Sequence, residues 1–237
     1  MNYLNRQRLD LGADSQDDAQ VSTQALELKS RQIQQQIDAL SLGNIRDRAL
    51  LSHDLANVQI DCGHTQLAWK NALPAFQFHI DRQEWELATV VCDTLFHCDH
   101  QDSLIALGHG LWLSITFPVE PTLTISQLQH VIDETPEDSD GAAVAAAVAA
   151  YVVELRGNQV KNDDAALIIG QILNDVARRH SNVQSPEEFD QWFKRLELNV
   201  PEKLLVRMRN IIDVLVQDQW WIDRAELQAM IPADNES

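Results

Sequence analysis

Apolar residues in the last third of the chain return at intervals of three and four. Leu204, Leu205, Met208, Ile211, Ile212 and Leu215 fall on one side of a 3.6-residue helix, and Ile168, Ile169, Ile172, Leu173 and Val176 do the same. No stretch sustains the period-two alternation of a half-buried strand. Leu113 to Phe117 comes nearest, and Pro118 and Pro121 close it. Glycine and proline number 8 and 7 in 237 residues, which leaves few of the tight turns an all-β chain needs. The fold class this predicts is all-α: helical hairpins stacked as a bundle or short solenoid, with a long N-terminal helix.

Helix starts and stops divide the chain. Residues 1–20 are polar, carry Asp14, Asp17 and Asp18, show no apolar repeat, and read as a flexible acidic tail. Residues 21–58 form an N-terminal helical segment, a long helix to about 41 and a second short one after Gly43–Asn44. Asp61, Cys62 and Gly63 mark a break, and 64–231 reads as an α-helical repeat-like domain. Its helices are expected over about 67–79, 83–97, 102–116, 124–134, 140–156, 163–180, 186–197, 202–217 and 223–230. Asp81 with Glu84, Thr124 with Gln127, and Asp223 with Glu226 have capping-box spacing. Ser185-Pro186-Glu187-Glu188 joins a capping serine to a proline at the first helical position and two acids at the positive end of the dipole.

On the first helix Leu26, Ile33 and Leu40 recur every seven residues, with Ile37 beside them, on an otherwise Gln-rich surface. The stripe can pack on the protein's own body, or it can bind a partner and join two copies into a homo-oligomer. The alanine-rich run Ala142 to Ala150 has side chains small enough for neighbouring axes to approach closely, which places it at the centre of a bundle.

Leu104, Leu107, Gly108 and Leu111 have the spacing of first-helix positions in a tetratricopeptide repeat, and Ala88, Cys92 and Leu95 fit the second helix of a preceding unit. Thr124, Leu128, Val131 and Pro136, then Ala142, Ala145, Ala146 and Ala149, continue the pattern, so residues 83–155 resemble two loosely spaced tetratricopeptide-like units. Phe117 to Pro121 lengthens the period, and the signature tryptophan and tyrosine are missing. The resemblance implies stacked helix hairpins whose concave face holds a peptide or helix of another protein.

Eighteen basic against 36 acidic side chains give a formal charge of −18. A chain so acidic is repelled by a phosphate backbone, so nucleic acid is not expected as a partner. Three cysteines, Cys62, Cys92 and Cys98, are too few for a disulfide framework and suit a reducing compartment. The opening residues contain no apolar signal-peptide core, and the longest uncharged apolar run, Ala142 to Val153, is too short to span a bilayer. A cytoplasmic location away from the membrane is expected.

Metal-ligand residue types concentrate in Val91–His100. On a helix Asp93 and His97 lie one turn apart, with His100 a further turn on, and these three are the candidate metal ligands. Cys62 and His64 would join them only if the fold brought that loop near. The competing reading makes Cys92 a small core hydrophobe and the histidines occupants of a helix end. There is no CxxC, HExxH, GxxxxGK[ST], GxGxxG or GxSxG, and His53-Asp54 stands without the further His and Asp that a metal phosphohydrolase needs. No catalytic residue and no cofactor follows. Trp220-Trp221 remains, two adjacent indoles between helices that suit either a buried cap or a binding hot spot. The function expected is a non-enzymatic helical adaptor, regulator or assembly chaperone that binds another protein, with Leu26, Ile33, Leu40, Trp220 and Trp221 as contacts. The alternative is a metal-dependent helical enzyme or sensor using the Cys92–His100 cluster.

Overall fold

A computed structural model describes residues 16–157 and 163–231. Eleven helices account for nearly all of them: α1 (Gln16–Ala39), α2 (Ile45–Asp61), α3 (Thr65–Asp81), α4 (Trp85–Phe96), α5 (Ser103–Thr116), α6 (Pro121–Glu134), α7 (Asp140–Gly157), α8 (Asp163–Ser181), α9 (Pro186–Arg195), α10 (Pro201–Val216) and α11 (Arg224–Ala229). Among the described residues there is no strand, and no helix is long and apolar enough to cross a membrane. The protein is all-α.

Two compact units make up the chain, Met1–Gly110 and Leu111–Ser237, the division falling inside α5. The break expected at Asp61–Gly63 lies inside the first unit. Gly63 adopts φ +77°, a conformation glycine takes without penalty, and the tight reversal it permits folds α3 back along α2 as one hairpin. Helix α1 already runs from Gln16, inside the segment expected as a tail; residues 1–15 lie outside those described.

In the first unit α1, α2, α3 and α4 pack in sequence order. Ile33 and Ile37 of α1 are buried on Leu55 and Val58 of α2, with Leu51 and Cys62 half-buried alongside. Polar pairs tie the hairpins together. Asn71 of α3 donates to Gln59 of α2 at 2.8 Å, and Thr94 of α4 donates to Asn57 of α2 at 3.0 Å while its oxygen lies 2.8 Å from the His53 ring.

At the α3–α4 turn the expected Asp81/Glu84 capping box is replaced by another arrangement. Glu84 is itself the N-cap residue, and its carboxylate lies 2.6 Å from Nδ1 of buried His79 and pairs with Arg46 through its other oxygen. The competing partners are stronger than a backbone N–H, because one is a cation and the other a buried imidazole.

The second unit is organised around α7, which packs against α6, α8 and α10. Ala142, Ala143, Ala145, Ala146, Ala147 and Ala149 are all buried, together with Val144 and Val148, so α7 is covered on every side. Methyl-sized side chains let several helices share one neighbour. The end of α5 and the loop after it are held by Arg156 in the last turn of α7. Its guanidinium donates to the carbonyls of Ser114 (2.8 Å), Ile115 (3.3 Å), Phe117 (2.7 Å) and Val119 (2.9 Å), and to Thr124 Oγ1 (3.1 Å). A cation at the negative end of a helix dipole, saturated with carbonyls, satisfies groups that helix geometry leaves without partners.

Helix α6 starts earlier than the Thr124/Gln127 box would place it. Glu120 is the N-cap and accepts from the N–H groups of Thr122 and Leu123, with Pro121 at the first position, while Thr124 is buried and donates to the Ser114 carbonyl. Two other expected caps are present: Ser185 accepts from Glu188 N–H, and Asp223 accepts from those of Ala225 and Glu226.

Candidate functional site

Helix α10 begins with Pro201 at its first position and buries Leu204, Met208, Ile212 and Val216, four residues apart, along the side that meets α7. The inward stripe is narrower than the sequence spacing predicts. Leu205 is exposed, and Ile211 and Leu215 are half-buried flanks. On the outer side Val206 is 49% and Val214 71% exposed.

Gln217 and Asp218 are both left-handed, at φ 51° and 62°, and these two consecutive residues end α10 and reverse the chain. Trp220, Trp221 and Ile222 follow outside any helix, Asp223 caps α11, and the buried Leu227 anchors the short helix. The result is a corner with an open pocket of about 740 Å³, lined by Arg209 of α10, by Trp220, Trp221, Ile222 and Asp223, and by Arg224, Ala225 and Gln228 of α11.

Both indoles are half-buried. Trp220 is fixed from two directions: its ring meets Trp112 edge-on at 6.0 Å between centroids, and the Arg224 guanidinium lies 4.1 Å from its ring centroid. A cation over an indole face is attracted by the ring quadrupole. Arg224 is also 3.3 Å from Asp213 of α10, so its ion pair fastens α11 to α10 while its cation–π contact holds the Trp220 segment. Arg207 pairs with Asp140 at 3.0 Å and donates to the Leu196 carbonyl, and Lys203 pairs with Glu197. Arg209 is exposed on the pocket wall and has no partner among the described residues. The corner therefore offers a guanidinium fork beside two amphipathic aromatic rings.

The sequence singled out Trp220 and Trp221, and the fold places both on this pocket. Arg209, Ile222, Arg224 and Gln228 were missed. Lys203, Arg207 and Arg209 on one helix read from sequence chiefly as a solvated face, and only the reversal at Gln217–Asp218 brings α10 and α11 together. The other expected contacts lie in the first unit. Ile33 is consumed in the core between α1 and α2, while Leu26 and Leu40 are half-buried, so the seven-residue stripe serves mainly the protein's own packing.

Asp93, His97 and His100 are not brought together as one ligand set. Helix α4 ends at Phe96, the next residues turn, and Asp99 is left-handed at φ 49°, so His100 leaves the helical path that would have stacked it a turn beyond His97. Asp93 and His97 do face each other at 3.6 Å, with His97 Nδ1 donating to the Asp93 carbonyl at 2.7 Å. His100 instead stacks on Trp69 at 4.1 Å between centroids, and its Nδ1 accepts from the Asp102 N–H. Cys92 and Cys98 are fully buried. Burial pushes both thiols up, Cys98 to about 11, so they are protonated and unreactive at neutral pH.

Comparison with protein-family models, curated proteins and solved structures finds no match to this chain.

Proposed function

We propose that the protein is a non-enzymatic helical adaptor or regulator that acts by binding another protein, and that the corner between α10 and α11 is its binding face. The observation that carries this reading is the open pocket holding Trp220, Trp221 and the unpaired Arg209. Tryptophan and arginine dominate the energetics of protein interfaces because each combines a large apolar area with directed donors. Exposed Val206 and Val214 on α10 add apolar area that unit-internal packing leaves uncovered. The tetratricopeptide-like spacing over 83–155 supports the same class of role, since stacked helix hairpins commonly hold a segment of another protein.

The test compares tag-free protein with its Trp221→Ala and Arg209→Glu variants, isolated from the native extract and weighed by native mass spectrometry. The reading expects a stoichiometric protein partner on the wild type and its loss from both variants, each retaining wild-type helicity by circular dichroism. A partner held equally by all three removes the corner from the account. Turnover of a small substrate with no stoichiometric partner overturns the function itself.

A further inference from the structure

We infer that the α10–α11 corner takes an acidic peptide segment with an apolar side chain, the carboxylate received by Arg209 and the apolar group seated against Trp221. This rests on the reading of the corner as a binding face and adds the chemistry of what binds there.

The cations of α10 and α11 differ in what holds them. Lys203 is committed to Glu197, Arg207 to Asp140 and Arg224 to Asp213. Arg209 alone of the four faces the pocket with no partner among the described residues. A guanidinium presents paired donors in a plane that matches a carboxylate, and such charge-assisted pairs are the strongest hydrogen bonds available at a protein surface. Trp221 and Ile222 supply an apolar wall beside it, which rewards a side chain next to the acid and disfavours a bare ion.

The charge of the chain narrows the occupant further. Asp223, the carboxylate on the pocket wall, is held by the N–H groups of Ala225 and Glu226 as the cap of α11, and Arg224 is held by Asp213, so Arg209 is the charged group of the lining left for a ligand. A second copy of this chain would bring a further −18 against a molecule that already carries −18, which like-charge repulsion opposes. A nucleic acid would satisfy one guanidinium while the remaining charge repels its backbone. An acidic peptide needs only the local field and is small enough to avoid the rest of the surface.

The experiment is fluorescence anisotropy on the full chain with fluorescein-labelled Glu-Asp-Leu-Phe-Asp-Glu, its amide counterpart Gln-Asn-Leu-Phe-Asn-Gln, and labelled oligothymidylate. The expected result is saturable binding of the acidic peptide only, weakened roughly tenfold or more by Arg209→Glu and less by Arg209→Lys, which keeps the charge and loses the fork. Arg178→Glu makes the same charge change on α8, where Arg178 is exposed near Asp175, and is expected to leave binding within about twofold of wild type. Equal binding of the amide peptide, an equal loss with Arg178→Glu, or preferential binding of oligothymidylate overturns the inference. If the native partner is lost from Trp221→Ala while the acidic peptide shows no binding, the corner stands as a binding face and the acidic-segment assignment fails.

Discussion

His79 Nδ1 stands 2.6 Å from Glu84 Oε2, a contact that ties the last turn of α3 to the residue that starts α4. His79 is fully buried, and its other ring nitrogen, Nε2, is buried without a hydrogen-bond partner. Burial, reinforced by the positive charge of Arg46, pushes the imidazole down to about 4. Arg46 already holds the Glu84 carboxylate, so the ion pair facing His79 is close to neutral and desolvation dominates. The ring is therefore uncharged at neutral pH and donates from Nδ1 to the carboxylate.

The sign of the pH dependence follows. The unfolded chain protonates His79 near 6.5, the folded chain only near 4, so between those values the unfolded state binds more protons and acid destabilises the fold. The loss from this residue is about 2 kcal/mol at pH 5, and it levels off below pH 4. Urea midpoints of wild type and His79→Gln at pH 7 and pH 5 check this. The wild type is expected to lose about 2 kcal/mol more than the variant over that interval.

Arg156 is expected to be the most costly surface-proximal charge to remove. Its guanidinium donates to four carbonyls and a threonine hydroxyl, and burial disfavours its charged form enough to push its pKa down. Arg156→Met leaves those carbonyls without a donor and should cost about 2–4 kcal/mol, read as a drop in Tm and in the urea midpoint. Arg156→Lys restores the charge with fewer donors and should recover only part of the loss.

Ala146 is fully buried on α7, the helix against which α6, α8 and α10 pack. Ala146→Leu inserts volume that no neighbour can yield and should destabilise by about 1–3 kcal/mol or more. Ala25→Leu, on the exposed side of α1, should change stability by less than about 0.5 kcal/mol. Parallel thermal melts of the two variants make the comparison.

Ile33→Ala opens a cavity between α1 and α2 and should cost about 2 kcal/mol. Because the side chain is spent on the protein's own core, the mass measured by light scattering should be the same for variant and wild type. A change of mass would assign the stripe to a contact between copies.

Much of the fold was legible because helices announce themselves locally. The spacing of Leu204, Met208 and Ile212, the caps at Ser185 and Asp223, and the alanine run of α7 are each decided within one or two turns of chain. The capping boxes expected at Asp81/Glu84 and Thr124/Gln127 do not form, because a cation, an imidazole and a carbonyl from other segments compete for the Glu84 and Thr124 side chains. His100 failed for a similar reason. One left-handed residue at Asp99 redirects everything beyond it, and residue type there does not demand that conformation. At the candidate site the tryptophans were legible by rarity. Arg209 was not, since an unpaired arginine is defined by the carboxylates that pair with its neighbours.

The binding face is tested most directly by hydrogen–deuterium exchange of the full protein, alone and with the partner recovered from native extract. Slowed exchange is expected over the last two turns of α10 and through α11, with little change in α1 to α4. Protection centred on the first unit, with the α10–α11 corner exchanging as in the free protein, would contradict it.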